Sequence, residues 1–168
     1  AMANGLAGND RIRDYGEDYA RFAGALEHVC EDLAKKIARD GEGATKLIAV
    51  SVKGARTAQD AKTVAMSIAQ SELVKTAVFG ADANWGRILC AIGYTKGCFK
   101  VDCINVAFSS AKGRIEVCRN GVGWPFSEKK AKTILLEPEI RIEIDMNQGK
   151  AAATAWGCDL TYDYVKIN

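Results

Sequence analysis

The sequence predicts an α+β fold, a mixed sheet with flanking helices, as a single domain over residues 1–168. Three observations carry that expectation. Apolar residues recur at helical spacing in the first third, strictly alternating segments gather in the second half, and the two kinds of element follow no regular βαβ order. A chain of 168 residues buries a substantial core, and 48% hydrophobic with 26% charged residues is an ordered protein's composition.

The elements follow in order. The opening "AMANGLAGND" places Ala1, Met2, Ala3 and Leu6 like the tail of a helix that closes at Gly5 or Gly8, with its upstream part missing. From Tyr15 to Arg39, residues Phe22, Leu26, Val29, Cys30, Leu33 and Ile37 form one apolar helical stripe. Asp14 and Glu17 have capping-box spacing, and Gly41 stands where a left-handed C-cap would fall. His28 lies mid-helix without a nearby partner and reads as a surface or interface residue. Lys46–Lys53 alternates with Ile48, Val50 and Val52 on one face, which predicts a strand. Thr57 with Asp60 caps a second helix carrying Ala61, Val64, Ala65 and Ile68. Leu73–Phe79 reads as a short strand, after which Asn84 or Asp82 caps a helix that turns Trp85, Ile88, Leu89 and Ile92 inward. Cys103–Phe108 and Arg114–Cys118 read as paired strands, and Ser127–Leu136 as a short helix. Glu139–Met146 alternates Ile140, Ile142, Ile144 and Met146 with charged residues, and the "NQG" turn at Asn147–Gly149 predicts a hairpin into Lys150–Trp156. Tyr162–Ile167 reads as the last strand.

Composition excludes several functions. The 23 basic and 21 acidic residues nearly balance, and no basic run exceeds Lys129-Lys130, so neither a nucleic-acid nor a membrane surface is expected. No apolar run approaches bilayer length. The six cysteines contain no C-x-x-C pair and the chain holds a single histidine, so no metal site is expected, and the thiols read as reduced, buried small hydrophobes.

Three segments could carry chemistry. "DGEGATK" (Asp40–Lys46) is not a phosphate loop. That motif needs a strand running in and a helix running out, so that free amides face the anion; here a helix runs in and a strand runs out. Glu42 is then either an ordinary exposed glutamate in a glycine turn or a ligand for a cationic group, which a helix C-terminus also favours. In "FGADANWGRI" (Phe79–Ile88), Asp82, Asn84 and Arg87 bunch at a capped helix start. Arg87 opposes the helix dipole there, which a carboxylate partner would explain; the other reading is an ordinary capped helix start. In "ATAWGCDLTYDYVKIN" (Ala153–Asn168), Asp159, Asp163 and Lys166 read as strand-face charges, and Cys158 has no histidine near in sequence to activate it as a nucleophile. From these residues alone, part of an enzyme and a ligand-binding or assembly domain both stay open.

Together the three segments, with "ANGLAGN" near the start, resemble the bifunctional ornithine acetyltransferase/glutamate N-acetyltransferase family of arginine biosynthesis, in order over essentially the whole chain. The resemblance implies the layered α/β sandwich shared with self-processing aminopeptidases. It also implies a precursor that cleaves itself into an α-chain and a β-chain. The new N-terminal threonine of the β-chain is the nucleophile; it takes the acetyl group from N-acetylornithine as an ester and passes it to glutamate, with the oxyanion hole supplied by the α-chain. No metal or organic cofactor is implied, though acetyl-CoA is a possible acetyl source. The implied setting is cytoplasmic, with an α2β2 assembly and neither nucleic acid nor membrane as partner. Residue by residue, Glu42 and Asn168 match the family's substrate-binding glutamate and asparagine. Asp82, Asn84, Trp85, Gly86 and Arg87 match a signature, for which structural or site-supporting roles are expected, site support at Asp82, Asn84 and Arg87; Ala83 stands where proline is common. The chain begins downstream of the cleavage threonine and stops a few residues short of the family's usual end. The catalytic residues therefore lie outside it, and the isolated piece is expected to be inactive. A related self-processing amidase, or a silent binding or assembly domain, is the competing expectation.

Overall fold

The computed structural model describes residues 4–97 and 99–168. The expected helix tail at Ala1–Ala3, and Cys98, lie outside them. By internal packing the chain divides into residues 1–34 and 35–168. The first unit holds most of α1 (Glu17–Arg39), which carries Glu17 and Asp18 in its first turn and Lys36 and Arg39 in its last, as the helix dipole favours. The expected capping box is displaced: the Asp14 carboxylate accepts from the Gly16 amide at 3.0 Å, capping the bend ahead of the helix. Phe22, Leu26, Val29, Leu33 and His28 are exposed.

The second unit is built on β1 (Leu47–Ala55), β2 (Asn105–Ser110), β3 (Gly113–Arg119), β4 (Val122–Gly123), β5 (Glu139–Asp145) and β6 (Ala151–Cys158). They form one mixed sheet in the order β4-β3-β2-β5-β1-β6, with β5 parallel to β1 and the other pairings antiparallel. Register puts Val106, Ile144 and Val52 in one row and Phe108, Ile142 and Val50 in the next, all buried on one face. Helices α2 (Ala58–Gln70) and α5 (Glu128–Leu135) cover that face, α2 over β1 and β6 and α5 over β2 and β3. The opposite face pairs Ala107, Glu143, Ser51 and Thr154 in one row, and Ser109, Arg141, Ala49 and Trp156 in the next.

Where the sequence signals were strong, the elements fall as expected. Thr57 caps α2 by accepting from the Asp60 amide, Ser127 caps α5, and β2 pairs with β3. Four expectations are corrected. Leu73–Phe79 is not a strand but most of α3 (Glu72–Phe79): Ser71 accepts from the Val74 amide, and Val74, Ala77 and Val78 are buried at helical spacing. Tyr162–Ile167 is likewise a helix, α6, capped by Thr161. No hairpin joins β5 to β6. The Met146 and Gln148 amides donate to the Lys53 and Gly54 carbonyls, which carries the chain across the end of β1, and β6 returns along its far side. The left-handed residue after α1 is Gly43 (φ 64°), not Gly41. Of the described cysteines only Cys118 is buried; Cys30 and Cys90 are exposed and Cys103 and Cys158 half-buried.

Candidate functional site

The turn Asp40–Thr45 lies between the last turn of α1 and the start of β1. The Ala44 amide donates to the Gly41 carbonyl at 2.9 Å, and Gly43 completes the reversal in the left-handed region that β-carbon sterics disfavour. A side chain at Gly43 would also meet the α6 backbone, since its β-carbon would lie 2.8 Å from the Tyr164 nitrogen. At Gly41 the obstacle is the Cys158 sulfur, 2.6 Å from where a β-carbon would stand. Glu42 is the exposed residue that this turn presents.

The segment after β6 closes over the turn. Asp159, only 3% exposed, accepts from the Thr45 amide at 2.8 Å, the Thr45 hydroxyl at 2.5 Å and the Lys46 amide at 2.9 Å. The Thr161 hydroxyl donates to the Gly43 carbonyl at 2.7 Å and accepts from the Asp163 and Tyr164 amides, so one side chain ties the turn to α6. At the far end of α6 (Tyr162–Ile167), the Asn168 amide group donates to the Glu42 carboxylate at 3.0 Å and to the Tyr164 carbonyl at 3.0 Å. Glu42 and Asn168, remote in sequence, therefore meet, and the last carbonyls of α1 and α6 surround them with negative potential.

Lys46, 8% exposed, points the other way. Its Nζ donates to the Val78 and Phe79 carbonyls at 2.6 and 3.2 Å, at the C-terminal end of α3. Burial pushes its ammonium below the usual lysine range, against the opposing pull of the Asp159 carboxylate. The Phe79 ring meets Tyr162 edge-on at 5.4 Å. All three motif segments are thus joined around Lys46.

Asp82, Asn84 and Arg87 form a separate cluster ahead of α4 (Trp85–Gly93). Asn84 caps the helix by accepting from the Arg87 amide at 3.1 Å and donates to the Asp82 carboxylate at 3.0 Å. Among the described residues Arg87 has no carboxylate partner, and the ordinary capped helix start is the reading the structure bears out. Its Nη1 donates to the Leu73 carbonyl at 2.8 Å and the Thr76 hydroxyl at 3.2 Å, fastening α4 to α3. No described hydrogen bond or ion pair links this cluster to Glu42 or Asn168.

The strand-face reading of the final segment is corrected as well. Asp163 and Lys166 pair along α6 at 3.0 Å, and Asp159 is a buried acceptor. Sequence reasoning missed the clasp formed by Thr45, Asp159 and Thr161. One signal for it was present, a threonine two residues before an acidic one, which is helix-start chemistry. Among the described residues no cluster of His, Cys, Asp and Glu has the make-up of a metal site, and no helix is long and apolar enough to cross a membrane. A groove on the polar face of the sheet, lined by Ser51, Ala107, Arg114, Glu143 and Thr154 among others, includes none of the candidate residues.

The mixed sheet, the helices on its apolar face and the three segments joined at the start of β1 define a layered α+β fold of the kind the resemblance implies. The comparisons with known proteins agree. The ArgJ family model matches residues 1–168. The chain is 53% identical to the arginine biosynthesis bifunctional protein ArgJ of Caldanaerobacter subterraneus, over 99% of this chain and 41% of that protein. It is 53% identical to the ArgJ of Geobacillus kaustophilus, over 99% and 40%. A crystal structure of ArgJ from Bacillus halodurans superimposes with a TM-score of 0.91 at 48% identity, covering 99% of this chain and 77% of that one. The chain belongs to the ArgJ family, and it spans about two fifths of the length of the curated relatives it matches.

Proposed function

We propose that this chain is the β-chain portion of an enzyme that moves an acetyl group from N-acetylornithine to glutamate, and that Glu42 and Asn168 bind the substrate. The observation that carries the reading is their meeting at 3.0 Å across a sequence separation of 126 residues, at the negative ends of two helices. A carboxylate so placed suits ornithine's side-chain ammonium, and the amide of Asn168 fixes one of its oxygens while leaving the other free to accept.

The chemistry proceeds in two acyl steps. A threonine hydroxyl outside this chain attacks the acetyl carbonyl of N-acetylornithine; the amide C–N bond breaks and ornithine leaves with the proton. The α-amine of glutamate then attacks the acetyl-threonine ester, giving N-acetylglutamate and restoring the hydroxyl. The proposed partners are the α-chain of the same precursor and a second αβ unit, in the cytoplasm. Acetyl-CoA is a possible second donor, and no resident cofactor is needed.

Acetyl transfer from N-acetylornithine to glutamate, measured on the full-length enzyme carrying this segment, tests the proposal. Glu42→Ala is expected to lower kcat/KM at least tenfold, the scale of a charged hydrogen bond. Absence of transfer in the parent enzyme, or hydrolysis that ignores glutamate, would overturn it.

A further inference from the structure

We propose that Asp159 is a positioning residue that, together with Thr161, sets the direction in which Glu42 presents its carboxylate. The proposal rests on the amine-binding reading of Glu42 above.

Glu42 belongs to a turn with little hydrogen bonding of its own, and its side chain is exposed. Recognition of one ammonium by one carboxylate depends on supporting bonds that hold the turn in place. Asp159 supplies them. Both of its carboxylate oxygens are engaged, one by the Thr45 and Lys46 amides and the other by the Thr45 hydroxyl, and its own amide donates to the Lys46 carbonyl at 3.2 Å. Two residues on, Thr161 holds the Gly43 carbonyl at 2.7 Å and caps the helix that ends at Asn168. The stretch Asp159–Thr161 therefore grips the backbone that follows Glu42, at Gly43, Thr45 and Lys46, and also aims Asn168. A buried carboxylate is weak evidence for a purely stabilising role, because well-packed apolar groups of similar volume often stabilise as well. What hydrogen-bonded charge adds here is direction.

The test uses the full-length enzyme and two donors, N-acetylornithine and N-acetylnorvaline, which is the same molecule without the side-chain amine. The ratio of kcat/KM for the two donors reads amine recognition alone. Glu42→Gln is expected to reduce that ratio about tenfold or more. Asp159→Ala is expected to reduce it about threefold to tenfold, through KM for N-acetylornithine with little change in kcat. The conservative Asp159→Asn keeps an acceptor for the two amides and should recover most of the ratio. The double variant of Glu42→Gln with Asp159→Ala should discriminate no worse than Glu42→Gln alone. Should Asp159→Ala fail to fold, Thr161→Val takes its place, with Thr161→Ser as the rescue. If Glu42→Gln leaves the ratio unchanged, the amine-binding reading itself fails. If Glu42→Gln lowers it while Asp159→Ala or Thr161→Val slows both donors equally, the positioning role is overturned and the Glu42 site stands.

Discussion

The turns at Asp82–Arg87 and Asp40–Thr45 share a composition, a carboxylate among small residues beside a helix end, yet they are held by opposite means. Around Asp82 every side-chain bond closes locally: Asn84 reaches residues two and three positions away, and Arg87 reaches Thr76 and Leu73, 11 and 14 positions away. Around Glu42 the partners lie 113 to 126 positions away. The first turn carries its own rigidity; the second borrows it from residues 159–168. A recognition group that must be set accurately but presented openly is better served by the second arrangement, because its supports come from behind and leave its front free.

Substitutions can break or sharpen that contrast. The largest effect is expected at Gly43→Ala, which adds left-handed strain to a clash with the α6 backbone. Destabilisation of about 2–3 kcal/mol in thermal unfolding, with acetyl transfer strongly reduced, is the expected outcome. In the local turn, Arg87→Leu removes both links from α4 to α3 and should cost about 1–2 kcal/mol while KM for the acetyl donor stays unchanged. Asn84→Ala removes the cap and an exposed bond to Asp82 and should cost about 1 kcal/mol, again with donor KM unmoved. A rise in KM for either variant would mean that the two turns are energetically joined.

The smallest effect concerns pH. Lys46 in the folded protein titrates below its usual value of 10.5. Between those two values the unfolded chain holds a proton that the folded chain has lost, so stability rises as pH climbs through that window. Lys46→Met should remove that increment, a difference in slope of at most about 1.4 kcal/mol per pH unit, read from chemical denaturation of parent and variant at alkaline pH.

The same contrast explains what was legible in the sequence. Periodicity and caps report neighbours, so α2, α4 and α5, the β2–β3 pair and the inward rows of β1 and β5 could be read directly. Leu73–Phe79 misled because Val, Thr and Phe suit strands, although Ser71 and Glu72 already signalled a helix start. The "RNG" at Arg119–Gly121 was a further local signal. Its Asn120 and Gly121 both adopt positive φ and turn β3 into β4. The seating of β6 beside β1 could not be read, since the choice of sheet neighbour is settled by tertiary packing. That Glu42 and Asn168 lie together could not be read from local pattern; Glu42 stood out as one of two readings of its turn, and Asn168 only through resemblance to a family. That Asp159 is a buried acceptor and not a strand-face charge follows from a topology that no local pattern contains.

Because β6 runs antiparallel to β1, with Cys158 opposite Leu47, the exit of one strand lies at the entry of the other. Glu42 therefore has its surroundings only once residues more than a hundred positions further on have docked, and closing so long a loop is entropically demanding. The setting of Glu42 is in this sense a property of the folded sheet and not of its own turn. Loosening of residues 159–168 would dissolve it while the sheet stays folded, and early deuterium uptake at the Thr45 and Lys46 amides, ahead of the β1 interior, is how that would register.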